Sequence, residues 1–481
     1  MSEVCERSGL GAGVEGRTVA VVGGGLAGIA AAVRLADLGA RVTVLEARPN
    51  LGGATYSFQR GDLTVDTGQH VFLRCYTSYR ALLDKLGVAD LAPVQDRFAI
   101  PVLHRPAPRR GGSPSSHRLA WLRRGPGPAP LHLGPALLGY APLSPAERCR
   151  AAAAALALRS VDPDDACVDA VSFGSWLRTH HQSTRAIERL WGLITVAALN
   201  LHPDEASLAL AARVFRTGLL DEPAAADIGI PAVPLRQLHA ESAERLFADR
   251  GVRLRTKAKV TAIEPVPTKD RDGEPGFVLR TPAGDLTTAA VVVAVPHQSA
   301  AGLVPPAAAP GRHRWADLAA SPIVNVHLRY DRTVTALPFA ASLDSPVQWI
   351  FDRTKAAGVG SGQYLVVSVS AAHAMVDVPT DELRETYTRA LAELFPAARN
   401  ARLAESFVTR EPHATFRQGP GTAALRPATP TQLPGLVLAG AWTATGWPDA
   451  MEGAVRSGLL AADSLARDPH TPGRVLTEAT P

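Results

Sequence analysis

A run of three glycines between two apolar strands constrains this chain more than any other feature. Thr18 to Val22 reads as a buried strand, Gly23-Gly24-Gly25-Leu26-Ala27-Gly28 follows it, and an Ala-rich helical run extends from Leu26 to Leu38. Gly39 closes that helix and Arg41 to Leu45 reads as a second strand, so the segment predicts a β-α-β unit with parallel pairing. In G-x-G-x-x-G spacing, Gly23 permits the tight turn and Gly25 lets the backbone approach a pyrophosphate. Gly28 lets helix and strand pack closely, and Leu26 and Ala27 open a helix whose N-terminus faces phosphate charge. Glu46 follows the second strand, where a carboxylate accepts ribose hydroxyls; an acid there favours an unphosphorylated ribose. The expectation is an α/β chain with a Rossmann-like dinucleotide domain.

Composition narrows the class. A chain of 481 residues with 46% hydrophobic and 20% charged residues suits a soluble globular protein of roughly two to four folding units. The net charge of +5 is thin for this length and argues against nucleic acid as a partner. Cys5, Cys75, Cys149 and Cys167 lie far apart with no C-x-x-C pair, which fits a reducing compartment and a cytoplasmic protein. His180-His181 and Asp162, Asp164 and Asp165 lack partners at metal spacing, so no metal is expected. Trp176 and Trp191, on amphipathic helices, read as core or as walls of a substrate site.

Both ends of the chain point to a flavin. After Glu46 come Ala47-Arg48-Pro49-Asn50-Leu51-Gly52-Gly53, a Gly pair that resembles the flavoprotein extension of the dinucleotide motif. Near the C-terminus, Leu438-Ala439-Gly440-Ala441-Trp442-Thr443, then Met451-Glu452-Gly453, resemble the segment that holds the flavin in the flavin amine oxidase and carotenoid desaturase superfamily. Asp66-Thr67-Gly68-Gln69-His70-Val71-Phe72, Trp191 to Asn200, Ala414-Thr415-Phe416 and Trp442-Thr443-Ala444-Thr445-Gly446-Trp447-Pro448 resemble hydroxysqualene dehydroxylases in particular. The resemblance covers residues 17–465 and implies a glutathione-reductase-like FAD domain with a mixed α+β substrate domain.

The resemblance implies FAD held by Gly23, Gly25, Leu26, Ala27, Gly28, Glu46, Ala47, Gly53, Ala54, Gly68, Gln69, Val260, Gly440, Ala441 and Met451. The absence of a cysteine beyond Cys167 implies that FAD is non-covalent. Two positions depart from many relatives: Ala54 stands where a basic residue follows the Gly pair, and Ala441 where an acid follows Ala-Gly. Each lost contact would cost about 1–3 kcal/mol of cofactor binding if nothing replaced it.

The implied reaction replaces the hydroxyl of hydroxysqualene by hydrogen, a step in hopanoid precursor synthesis, with electrons from an unidentified donor. The allylic carbon–oxygen bond must ionise, so the leaving hydroxyl needs a proton donor. His70 is one candidate, because imidazole titrates near neutral pH, unless it serves only to hydrogen-bond the backbone; Asp66 is the second. Three other readings stay open: a carotenoid or phytoene-type desaturase, a flavin amine oxidase, and a flavin-free isoprenoid carrier.

Along the chain, segments 17–90, 225–300 and 430–468 are expected to form the FAD domain and 91–224 with 301–429 the substrate domain, with a flexible tail at 469–481. Gly251 to Ile263 reads as one half-buried strand. Residues 97–146 carry seven Arg, among them Arg109, Arg110, Arg123 and Arg124, and no acid, interleaved with Trp121, Leu131, Leu138 and Tyr140. Basic plus apolar composition suits contact with anionic lipid on the inner face of the cell membrane, and equally a solvated insertion.

Overall fold

β1 (Thr18–Val22) lies at the centre of a five-stranded sheet with β2 (Arg41–Leu45), β3 (Arg253–Arg255), β4 (Ala290–Val293) and β5 (Leu436–Leu438), in the order β5-β4-β1-β2-β3. The computed structural model describes residues 13–106, 117–266 and 276–467. Every pairing in this sheet is parallel. Parallel strands are covered on both faces, and β1 and β4 are accordingly apolar throughout their centres. On one face, Val19, Val21, Val44 and Val292 pack against α1 (Leu26–Asp37) and α2 (Met451–Ala466). On the other, Ala20, Val22, Leu45 and Val293 meet Phe277 and Leu279 of a three-stranded antiparallel sheet.

The helices α1 and α2 touch through small residues. A Cβ on Gly458 would run into the Ala27 carbonyl, so the two backbones approach as only glycine allows. The C-terminal helix thus lies on the first helix of the nucleotide fold, bringing the two ends of the chain together.

The expectation of one strand over 251–263 is corrected by the backbone. Lys257 takes a left-handed φ of 55°, which turns the chain out of the sheet after β3; a separate strand begins at Ala262. The alternation of apolar residues continues through a turn and so mimics one strand.

A seven-stranded mixed sheet forms the second body of structure, in the spatial order Leu403–Thr415, Ser321–Tyr330, Gln363–Val369, Trp349–Asp352, Phe339–Ser342, Ala99–His104 and Arg118–Arg123. Helix Thr380–Leu394 covers one face through Leu383, Tyr387 and Leu391. Residues from 145 to 220 are mainly helical and bury Phe173, Trp191 and Phe215 against one another. Trp191 is therefore core, its indole donating to Gln182 at 2.9 Å.

The basic stretch 97–146 contributes two strands to this sheet. Arg124, read from sequence as part of a basic surface, instead donates to the fully buried Asp227 carboxylate, which Arg74 also reaches. Burial alone would raise that carboxyl, but the bonds from Arg124, the Phe98 amide and Arg74 outweigh it and hold it below the ordinary range. Arg123 lies over the Trp121 ring at 3.7 Å. Arg109 and Arg110, and the tail 469–481, fall outside the described residues. Leu131 and Leu138 are about 70% exposed. Among the described residues no helix is long and apolar enough to cross a membrane.

Candidate active site

The glycine turn forms a cradle that side chains would fill. Gly23 has φ 109°, which L-residues rarely adopt, and α1 starts at Gly25 with no side chain capping its first turn. Those first amides are left for an anion. Gly25 faces Gly53, whose own φ is 58° and whose Cβ would sit 3.0 Å from the Gly25 Cα. The two loops are joined backbone to backbone, the Gly52 amide donating to the Gly24 carbonyl at 2.8 Å, and the Leu51 side chain packs against Gly24.

Glu46 lies at the floor of this cradle, 8% exposed. One carboxylate oxygen accepts from the Gly24 amide at 2.6 Å and the other from the Arg48 amide at 2.7 Å. A carboxylate accepts more than two bonds, so capacity remains for a ribose. Ala258 donates its amide to the Glu46 carbonyl, and Val260 packs in the same cluster as Val22 and Leu45 behind the strand ends. Ala47 and Ala54 are exposed, and Arg48 donates to the Gly53 carbonyl at 3.3 Å, placing a cation in the loop that Ala54 leaves neutral.

The C-terminal half arrives from the other side. Gly440 has φ 137° and donates its amide to Ser457 of α2 at 2.7 Å. Arg426, missed in the sequence, is 9% exposed and clamps this loop, donating to the carbonyls of Ala441 at 2.9 Å and Thr443 at 3.0 Å. Burial lowers its guanidinium to about 10, partly offset by Asp449 and Asp169. Met451 begins α2, again with no side-chain cap, and the neighbouring Glu452 is fully buried because it accepts the Ser78 and Tyr79 amides. Glu452 is thus a structural tie.

Asp66 is buried and fully engaged. Its carboxylate accepts from Ser57 at 2.6 Å, the Leu235 amide at 3.0 Å and Arg353 at 2.9 Å. Gln69 and His70 line a closed cleft with Val71, Phe351 and Arg353. Burial pushes the His70 imidazole below its ordinary value, opposed by the Gly68 carbonyl and Asp66 and reinforced by Arg353. A neutral ring donates Nδ1–H to the Gly68 carbonyl at 3.1 Å, which orients that backbone.

A second acid, Asp449, was not singled out from sequence, although it stands just ahead of Met451 between Pro448 and Ala450. Its carboxylate accepts from the Phe416 amide at 2.8 Å, and its own amide donates to the Gln418 side chain at 2.8 Å. Burial pushes its carboxyl up to about 6, opposed by the Phe416 amide and Arg426. Gln418 in turn donates to the Leu199 carbonyl at 2.9 Å, and Asn200 donates to Thr415 at 3.1 Å and the Ser321 carbonyl at 2.8 Å. Segments 197–200, 414–418 and 440–451 therefore meet in one network. Among the described residues no group of three or more His, Cys, Asp or Glu comes together to hold a metal.

A glycine cradle with a carboxylate at its floor, closed by a loop and helix from the far end of the chain, defines an oxidoreductase of the flavin-containing class. The sequence matches the family model for flavin containing amine oxidoreductases over residues 26–466, and the chain belongs to that family. It is 30% identical over 464 residues to the hydroxysqualene dehydroxylase of Rhodopseudomonas palustris, covering 93% of this chain and 98% of that one. It is 27% identical to the chloroplastic/chromoplastic zeta-carotene desaturase of Arabidopsis thaliana, covering 93% and 85%. A structure of putrescine oxidase bound to putrescine shares the fold at a TM-score of 0.68 and 19% identity, covering 94% of this chain and 99% of that one.

Proposed function

We propose that the protein is an FAD-dependent hydroxysqualene dehydroxylase with non-covalent flavin. The observation that carries the reading is the network joining Asn200, Thr415, Phe416, Gln418 and Asp449, because it unites the segments by which the sequence resembles dehydroxylases. The identity with the Rhodopseudomonas palustris enzyme along nearly the whole chain supports it. A desaturase acting on another isoprenoid is the second reading, supported by the zeta-carotene desaturase relatives.

The flavin, when bound and reduced, supplies hydride to carbon. The substrate hydroxyl leaves as water, so one proton must reach its oxygen for each hydride delivered: R–OH plus hydride plus a proton gives R–H and water. We assign that proton to Asp449, whose carboxyl burial pushes up to about 6, immediately ahead of the helix that Met451 opens. His70, neutral and donating to Gly68, orients backbone beside the cleft. Glu46, the glycines and the uncapped start of α1 hold the nucleotide end. Arg426 fixes the carbonyls of Ala441 and Thr443.

Amine oxidation is disfavoured by the placement of two aromatic side chains. Trp442 is 4% exposed, packed on Trp315 at 5.1 Å, and cannot form an open wall. Trp447 stands edge-on to Tyr76 at 5.8 Å and its face carries the Arg456 guanidinium, itself paired with Glu452, at 4.8 Å, so that face is already occupied.

The exposed Leu131 and Leu138 supply an apolar surface for peripheral contact with a lipid bilayer, from which a water-insoluble isoprenoid would be taken up. The electron donor is a separate, unassigned partner.

The test is anaerobic. The purified holoprotein is reduced, hydroxysqualene is added, and flavin reoxidation is followed together with extracted squalene. Reoxidation in step with squalene formation is expected. A reduced flavin that ignores this substrate overturns the dehydroxylase and leaves the desaturase.

A further inference from the structure

A cavity of about 450 Å³ opens between segments 308–315 and 424–438 and shares no lining residue with the glycine cradle. Arg312, Arg314 and Arg426 line it, and no Asp or Glu does. The Arg312 Nε is buried with no partner. The Arg314 side chain makes no hydrogen bond or ion pair with the described residues, although many arginines of this chain are paired. Arg426 spends its Nε and Nη2 on loop carbonyls and the Thr445 hydroxyl, which leaves Nη1 uncommitted among the described residues.

Most of the remaining wall is apolar, with Pro310, Trp315, Leu425, Pro427 and Leu438 among it, and Thr431 and Gln432 are its other polar side chains. Thr431 is already committed to the carbonyls of Leu433 and Leu436, at 3.2 and 2.8 Å. The Gln432 carboxamide is then the one uncharged polar side chain left to read a nucleobase, whereas an apolar body finds contact on several sides. Arg312 and Arg314 have no carboxylate partner among the described residues, and Arg426, with Asp449 and Asp169 near it, adds a third guanidinium; such a set calls for an anion of more than one charge, and the planar fork of Arg matches phosphate oxygens.

We propose that this cavity binds an amphiphilic diphosphate: a diphosphate head held by Arg312, Arg314 and Arg426, with an apolar chain laid against Pro310, Leu425 and Leu438. The site is independent of the redox reaction and does not rest on the dehydroxylase assignment. Arg426 joins it to the flavin loop, because the same guanidinium holds the Ala441 and Thr443 carbonyls.

Isothermal titration of the full-length, flavin-loaded protein with geranyl diphosphate tests this, with inorganic diphosphate and geraniol as the two half-ligands. Geranyl diphosphate is expected to bind, and each half at least tenfold more weakly. The double variant Arg312→Gln, Arg314→Gln should weaken binding tenfold or more with the flavin spectrum and melting temperature unchanged. Arg314→Gln alone, at an exposed side chain, should weaken it in the same direction. Absence of binding to the parent, equal binding by the double variant, or equal binding of inorganic diphosphate and geranyl diphosphate would each overturn the proposal.

Discussion

The Asp449 carboxylate accepts the Phe416 amide at 2.8 Å, tying the loop that precedes α2 to the end of the longest strand of the mixed sheet. That bond fixes one oxygen of an acid whose burial keeps its proton to about pH 6. The same residue therefore positions the loop and, in the function proposed above, is the acid that gives up the proton.

Replacing Asp449 by Asn keeps an acceptor for Phe416 and removes the proton. Loss of a general acid typically costs 10²–10⁴-fold, so squalene formation should fall by about 10²-fold or more with flavin content unchanged. The parent rate should decline as pH rises through about 6, and the variant's residual rate should lack that limb. Single-turnover rates from pH 5 to 8 check this.

The same substitution makes a stability prediction of opposite sign. The folded carboxyl titrates near 6 against an ordinary 3.8, so the parent's stability contribution from this group is full below about pH 4 and is lost as pH rises through 6. At pH 8 Asp449→Asn should be more stable than the parent by about 1–3 kcal/mol, and the two should converge near pH 4. Urea unfolding at both pH values reads the difference; a variant less stable at pH 8 contradicts the burial of this charge.

Asp66 and Arg353 form a buried pair, each side chain 6–7% exposed. Arg353→Met would strand the Asp66 charge and should cost about 3–5 kcal/mol, the usual penalty for breaking a buried pair from one side. The double variant Asp66→Leu, Arg353→Met should recover much of that loss. If the single and double variants unfold at the same urea concentration, Asp66 is not anchored by this arginine.

How much of this was legible in the sequence depended on how local the signal was. Strands, glycines and the helix around Gly23 follow one another within a single β-α-β unit, and β1, α1 and β2 stand within a residue or so of where the pattern puts them. The C-terminal segment was legible because its glycines cluster again around Gly440 and Gly453. Arg353 was not, because its partner lies 287 residues away and nothing near it in sequence distinguishes it from a surface arginine. Arg426 and Asp449 were hidden for the same reason: their burial is created by segments that meet only in the fold. The strand expected over 251–263 failed at Lys257, where a left-handed residue carries no apolar signature.

Arg426→Met tests the clamp on the flavin loop. The substitution removes charged hydrogen bonds to the Ala441 and Thr443 carbonyls while keeping an apolar body of similar reach. Flavin dissociation should accelerate by about tenfold or more, since a bond to a charged group is worth about 1.5–3 kcal/mol. Fluorescence of released flavin after dilution measures the rate, and an unchanged rate would remove Arg426 from the cofactor's support.

Two glycines of one motif should respond in opposite ways to the same substitution. At Gly25 the backbone is extended, with φ −74° and ψ −179°, and an added Cβ meets nothing closer than the Gly53 Cα at 3.8 Å. The protein itself therefore tolerates a methyl there, and what the methyl would obstruct is the approach of a pyrophosphate to the cradle. At Gly28 an added Cβ runs into the Gly23 carbonyl and lies 3.4 Å from Val21, so the strand and the helix would have to separate. Gly25→Ala should leave the melting temperature of the flavin-free protein within about 2 °C of the parent while weakening flavin binding by tenfold or more. Gly28→Ala should lower that melting temperature, by about 2 kcal/mol or more in stability, before flavin is added. Thermal scans of the flavin-free proteins, paired with flavin titrations, separate a glycine kept for a ligand from one kept for the fold.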